Sequence, residues 1–254
     1  MEKLKKFNYK MGWLHFIQAF IMLWFALNVD KVIDFRPEIM SNFLKFDVAQ
    51  GRLVTDSQVL FELPFAAMVS MFLFLSAIFH FTVSSKTYNE EYNDQIKNHM
   101  NSFRWYEYAI SSSLMIVLIA VLFGIYDIGA LILIFGLNAS MNLFGHLMEK
   151  LNRSNEDVDW SPFWYGSIAG IIPWVVIIMY AFGNSNPAEV PWFVYAVFGS
   201  YLVFFNLFPI NMYLQYKRIG KWKDYIYGER FYIILSLVAK TVLAWLVFFG
   251  IMQP

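Results

Sequence analysis

Seven long stretches of this chain carry almost no charge, and that spacing decides which solvent the fold is built for. They fall at about 11–29, 63–85, 102–126, 128–148, 160–183, 190–216 and 231–251. Each is long enough to cross a hydrocarbon core about 30 Å thick as a helix rising about 1.5 Å per residue. Composition agrees: 59% of the 254 residues are hydrophobic and only 15% are charged, against about a quarter charged in soluble domains. The reading is an all-α membrane protein, residues 1–254 forming a single seven-helix transmembrane domain. Its spans are placed at about 11–29, 57–85, 98–124, 128–149, 160–183, 190–217 and 229–251, with one long extracellular loop at 30–56. Membrane lipid is therefore the expected surrounding, in a multi-pass protein of the cell membrane.

The basic start followed by an apolar run has the charge pattern of a signal peptide. The run from Met11 to Val29 is too long for one, and no small-x-small cleavage site follows it, so it reads as a retained first helix. The net charge of +0 gives no argument for nucleic acid. The absence of cysteine excludes disulfides, thiol catalysis and thiolate metal sites. The third and fourth spans are separated only by the turn around Tyr126-Asp127-Ile128-Gly129 and form an antiparallel hairpin. The 30–56 loop has alternating stretches compatible with a small β-hairpin.

Lysine and arginine counts set the expected orientation. One side collects the N-terminus and the second–third, fourth–fifth and sixth–seventh connections, with fourteen basic residues, Arg104 among them. The other side has four: Lys31, Arg36, Lys45 and Arg52. By the positive-inside rule the N-terminus is cytoplasmic and the C-terminus extracellular.

Away from the membrane surfaces the spans then hold two formal charges, Glu107 in the third and Lys240 in the seventh. Ionisable groups at that depth are costly unless paired or hydrated, so they are functional candidates. A plain Lys–Glu bridge between helices is the bland alternative, but an apolar pair would hold the helices as well. A lysine held in an apolar pocket favours the neutral amine, which condenses with an aldehyde. Once protonated, the resulting Schiff base needs a counterion, and Glu107 is the carboxylate at hand. Ser236 stands one turn before Lys240 on the same helix face. Light-driven proton pumps carry a second carboxylate at that place, where a serine can only hydrogen-bond. On the third span Ser111 and Ser112 lie one turn beyond Glu107, and Met115 two turns beyond. The stretch after them, Ile116-Val-Leu-Ile-Ala, offers no carboxylic proton donor. No catalytic set is evident, so an enzyme is not expected.

His15 and His80 are the polar groups inside the first and second spans. With Gln18, Ser76 and Asn101 they fall toward the cytoplasmic half, which suggests a hydrated polar cavity beside Glu107. Two histidines and a glutamate suit a transition metal by residue type, but they lack helical i, i+4 spacing, and no metal site is assigned. Tyr108, Met115, Met141, Trp174, Phe205, Phe208 and Met212 supply a plausible apolar cage. Pro173 and Pro209 are expected to kink the fifth and sixth spans.

At this point the residues resemble a known family, the heliorhodopsins. The segment Ser236-Leu-Val-Ala-Lys240-Thr-Val-Leu-Ala-Trp245 is similar to that family's retinal-attachment helix. Phe103-Arg-Trp-Tyr-Glu107-Tyr with Ser111-Ser-Ser-Leu-Met115 is similar to its counterion helix. Phe135-Gly-Leu-Asn138-Ala-Ser140 with Glu149-Lys150, Pro162-Phe-Trp with Ile172-Pro-Trp174, and Tyr213-Leu-Gln-Tyr with Gly228-Glu-Arg230 resemble further segments. The resemblance runs nearly end to end. It implies a rhodopsin-like bundle of inverted topology and all-trans retinal bound covalently to Lys240 as a protonated Schiff base. It further implies Glu107 as sole counterion, Ser236 as its hydrogen-bonding neighbour, and a cytoplasmic-side polar cavity with His15 and His80. A homodimer and a long photocycle without net ion pumping in most members are implied as well. The expected function is light sensing through an unknown cytoplasmic signalling partner; the alternative is light-dependent proton transport, as described for some viral members.

Overall fold

The computed structural model describes residues 1–153, 157–183 and 192–252. Among these, seven helices are long and apolar enough to cross a membrane: α1 (Glu2–Asn28), α3 (Phe65–Ser84), α5 (Ser102–Leu122), α6 (Ile128–Leu151), α7 (Ser161–Phe182), α8 (Trp192–Tyr216) and α9 (Tyr225–Gly250). Shorter elements complete the chain: α2 (Asp30–Ile33), the strands β1 (Glu38–Asp47) and β2 (Arg52–Glu62), α4 (Asn89–Lys97) and a 3-10 turn at Gly220–Lys223.

The buried face of α1 is one stripe, Leu4, Asn8, Gly12, His15, Ala19, Met22 and Ala26. That is the three-and-four spacing of a helix with one side against protein and the other against lipid. It packs along α3, and the sequence neighbours α5–α6, α6–α7 and α8–α9 pack against one another. α9 closes the ring onto α1 and α3. α7 and α8 meet through aromatic rings, with Trp174 against Phe198, Tyr201 and Phe205. Pro173 and Pro209 sit inside helices that continue through them.

Two spans start well after the sequence expectation, and two before it. The second span was placed from residue 57, but residues 57–62 belong to β2, and α3 begins at Phe65. They are used in strand pairing, with Val59 opposite Met40 and Phe61 opposite Ile39. The third span was placed from residue 98, yet the helix begins at Ser102. His99 is in the left-handed region at φ 55°, and the Asn101 side chain caps the helix by accepting from the Arg104 N–H at 3.1 Å. Conversely α1 and α9 start earlier, at Glu2 and Tyr225, because helix continues into charged flanks. Residues 190 and 191 of the sixth span lie outside the described residues.

The hairpin β1–β2 is tied to the bundle at the α5–α6 turn. Met40 N–H donates to the Tyr126 carbonyl at 3.0 Å in the α5–α6 turn, and Ile39 is buried in the core beside it. The half of the bundle at this end is packed with apolar side chains, including Met22, Phe65, Val69, Ile116, Ile119, Leu243 and Val247. The opposite half holds the buried charges. The functional site lies where these two halves meet.

Candidate functional site

Lys240 and Glu107 meet at the boundary of these halves. Both are nearly inaccessible, at 4% and 5% exposure, and they form an ion pair between α9 and α5. The amine also donates to Ser76 Oγ on α3 at 2.6 Å and to Ser111 Oγ on α5 at 2.8 Å. An ammonium has three N–H donors, so all three are matched. Ser76 in turn donates to Glu107 Oε1 at 2.8 Å. The helical four-residue step brings Glu107 and Ser111 onto the one face of α5 that looks at Lys240. Two rings cover the amine, Phe72 at 5.3 Å and Tyr108 at 5.2 Å from their centroids. Ser236, expected as the hydrogen-bonding neighbour, is buried on α9 but is not among the groups bonded to Nζ; Ser76 and Ser111 take that place.

From Lys240 a cavity of about 490 Å³ extends among α3, α5, α6, α7, α8 and α9. Tyr108, Met115, Met141, Trp174, Phe205, Phe208 and Met212, the cage expected from sequence, all line it, as does Ser112. The sequence reading missed Phe72, Trp105 and Tyr201 on its wall; in a chain this rich in aromatics their types carry no signal. Trp105 packs closely against α6 at Gly145, where a Cβ would stand 2.3 Å from its ring. Asn138 stands behind the wall and donates to Ser112 Oγ at 2.8 Å and Ser113 Oγ at 3.0 Å. It therefore holds α5 to α6 and reaches the cavity only through Ser112.

On the other side of Glu107 is a small polar cavity of about 40 Å³, room for a few waters. Ser76, His80, Asn101, Glu107 and Ser236 line it, together with Asn8, Tyr92, Arg104 and Glu229. His15 stacks on His80 with ring centroids 5.5 Å apart, and among the described residues neither of its ring nitrogens has a hydrogen-bond partner. Gln18 is not part of this cavity. Its side chain bonds the Leu14 carbonyl and accepts from Trp245 Nε1 at 3.1 Å; one turn past His15, it turns toward α9.

Three further charged side chains, near helix ends, are sealed inside the bundle. Arg104, Glu149 and Glu229 are also buried, and Arg104 pairs with both carboxylates. Glu149 further accepts from Trp105 Nε1 at 2.7 Å and the Asn101 N–H at 2.9 Å, and Glu229 from Asn101 Nδ2 at 2.7 Å. The Tyr232 ring lies 4.0 Å from the Arg104 guanidinium carbon. Counted by position, Arg104 read as a surface residue at a span end. The available signal was that it sits three residues before Glu107, which puts the two on one helix face. Among the described residues no group of three His, Asp or Glu side chains is placed to hold a metal.

An amine at the wall of a cavity lined by aromatic and methionine side chains suits an apolar aldehyde. The volume lies in the usual range for small-molecule sites, and the Lys240 amine is the group available for covalent attachment. Retinal fits this donor set. None of the curated proteins searched matches the chain. The heliorhodopsin family model, however, matches residues 4–252. With seven apolar helices and a match over nearly its whole length, the chain belongs to the heliorhodopsin family, the retinal-binding rhodopsins of that fold.

Proposed function

We infer that this protein is a light sensor in which all-trans retinal is joined to Lys240 through a protonated Schiff base, with Glu107 as sole counterion. The observation that carries the reading is the enclosed Lys240–Glu107 contact at the wall of the apolar cavity. The bound retinal supplies light absorption and the isomerisation that light drives. The residues do the rest. A linkage nitrogen keeps one N–H of the three now matched, and of its partners Glu107 is the charged one. Ser76, bonded to Glu107, holds that carboxylate in place. Phe72 and Tyr108 keep water from the linkage.

The direction of proton movement follows from the two halves of the bundle. Toward the hairpin end Lys240 meets fully buried apolar packing at Ile116, Ile119 and Val247. Toward the other end it meets Glu107, the polar cavity and His80. A proton leaving Lys240 thus enters the cavity near His80 and His15 and returns by the same side. Movement out and back on one side transports nothing, which supports signalling over pumping. Voltage-clamp recording is expected to show no sustained photocurrent; a steady light-driven current would replace the sensor reading with proton transport.

Glu107→Gln keeps the hydrogen-bond acceptor and removes the charge. The expected result is a red-shifted band, or loss of the visible band as the linkage gives up its proton. An unchanged spectrum would remove Glu107 from the counterion role.

The N-terminus is proposed to be cytoplasmic. With Arg104 inside the bundle, thirteen basic residues remain against four. A tag on the N-terminus should be reached by antibody only in permeabilised cells; labelling of intact cells reverses the topology. A homodimer and a cytoplasmic signalling partner complete the reading. The exposed hairpin residues Leu44, Phe46, Val48 and Leu53 offer apolar surface to a second copy.

A further inference from the structure

Asn8 does nothing for Lys240 directly, yet it is buried at 3% exposure in the middle of a chain of polar side chains. Its amide orientation is settled by its neighbours. Nδ2 lies 3.2 Å from the Leu4 carbonyl, which can only accept. Oδ1 therefore faces His80 Nδ1, 2.8 Å away, and that contact requires the proton on Nδ1. Nδ2 also donates to the Tyr92 hydroxyl at 3.2 Å, and Tyr92 donates to Glu229 Oε1 at 3.3 Å. Every bond in the chain has one allowed direction: His80 to Asn8, Asn8 to Tyr92, Tyr92 to Glu229.

The anchor at the far end is steady. Tyr92 sits on α4, outside the spanning helices, and burial together with the nearby Glu229 carboxylate holds its phenol well above the usual range. It keeps its proton and remains a donor to Glu229. At the near end, α1 approaches α3 closely because Gly12, one turn beyond Asn8, has no side chain. A Cβ there would stand 3.2 Å from His80 Cβ and 2.8 Å from Phe81.

A neutral imidazole protonated on Nδ1 has its lone pair on Nε2. No protein group bonds His80 Nε2 among the described residues, and His80 lines the cavity that Glu107 lines. We propose that Asn8 is a positioning residue that fixes the His80 tautomer and so presents Nε2 as the proton-accepting atom of the cavity. The acceptor half of this assignment rests on the proposed release of the Lys240 proton toward His80; the tautomer half does not. The step balances simply. Nε2 gains the proton that Lys240 loses, giving an imidazolium with N–H on both nitrogens, and the Asn8 bond to Nδ1 persists throughout.

The test is nitrogen-15 NMR of the ring nitrogens in histidine-labelled protein, with His80 assigned by loss of its signals in His80→Gln. In the dark, with or without retinal, native His80 should carry its proton on Nδ1. Asn8→Leu, of similar volume, removes the acceptor and should shift His80 toward the Nε2–H form; Asn8→Ala gives the same reading if the leucine variant does not fold. Tyr92→Phe keeps the Asn8–His80 bond and should leave the tautomer unchanged, which a merely structural disturbance of the cavity would not. Under light, His80 should become doubly protonated, and in Asn8→Leu that step should slow roughly 10- to 100-fold, part of the general-base contribution. Native His80 protonated on Nε2 in the dark, or an unaltered tautomer in both Asn8 variants, overturns the positioning role. Correct dark tautomers with no proton arriving on His80 under light overturn the acceptor role. Because the dark measurement does not need the chromophore, its failure is distinct from failure of retinal attachment at Lys240.

Discussion

Lys240→Ala is expected to yield a protein that stays colourless when retinal is added, while its far-ultraviolet circular dichroism remains helical. The reason is chemical. Among the described residues Arg104 is the other buried lysine or arginine, and it is committed to two carboxylates; a guanidinium does not condense with aldehydes under ordinary conditions, because it remains protonated. Other lysines lie outside the cavity lining. The substitution leaves Glu107 without its cation. Ser76 remains to hydrogen-bond it. The measurement is the visible spectrum after incubation with all-trans retinal, against the native protein in parallel. A visible band of native intensity in the variant would end the attachment reading, whatever the family match implies.

The second large effect is on stability. Arg104→Leu should lower it by about 3–5 kcal/mol, the range for breaking a buried ion pair by removing one partner. For a chain of this size that corresponds to a fall of roughly 10 °C in Tm. Glu149 and Glu229 are 2% and 1% exposed, and without the guanidinium two carboxylates face each other with only neutral donors: Trp105, Asn101, Tyr225 and Tyr92. The triple variant Arg104→Leu, Glu149→Gln, Glu229→Gln should recover most of the loss, because the amides place no charge in the interior. Thermal melts of the three proteins in the same lipid decide the matter. An Arg104→Leu protein as stable as the native one would mean that the triad contributes nothing to holding α5, α6 and α9 together.

How much of this was legible in the sequence differs from residue to residue. Lys240 was legible because a cation in the middle of an apolar helix has no bland surroundings in lipid. Glu107 followed as its complement. The cage residues on α5, α6, α7 and α8 were named by type, and all seven line the cavity. Arg104, Glu149 and Glu229 were not legible as a site. Each lies near a helix end, where charge is ordinarily solvated, and only the packing of three helices shows that they are sealed. Gln18 failed for the converse reason. Its depth resembled that of His15, but three residues along a helix rotate a side chain by about 300°, and that turn carries it to Trp245. Residues 57–62 adjoin the charge-poor run that begins at residue 63, but strand pairing with β1 claims them.

The sequence by itself determined the solvent, the number of crossings and the one amine at mid-depth, since each follows from where charge is absent or exceptional along a helix. Tertiary structure alone decided which side chains share a cavity. It placed Ser76, not Ser236, on the Lys240 amine, and closed Arg104 between two carboxylates. It also gave Asn8 a fixed direction between His80 and Tyr92. Those facts depend on how helices rotate and approach one another, a property of packing between segments far apart in the chain.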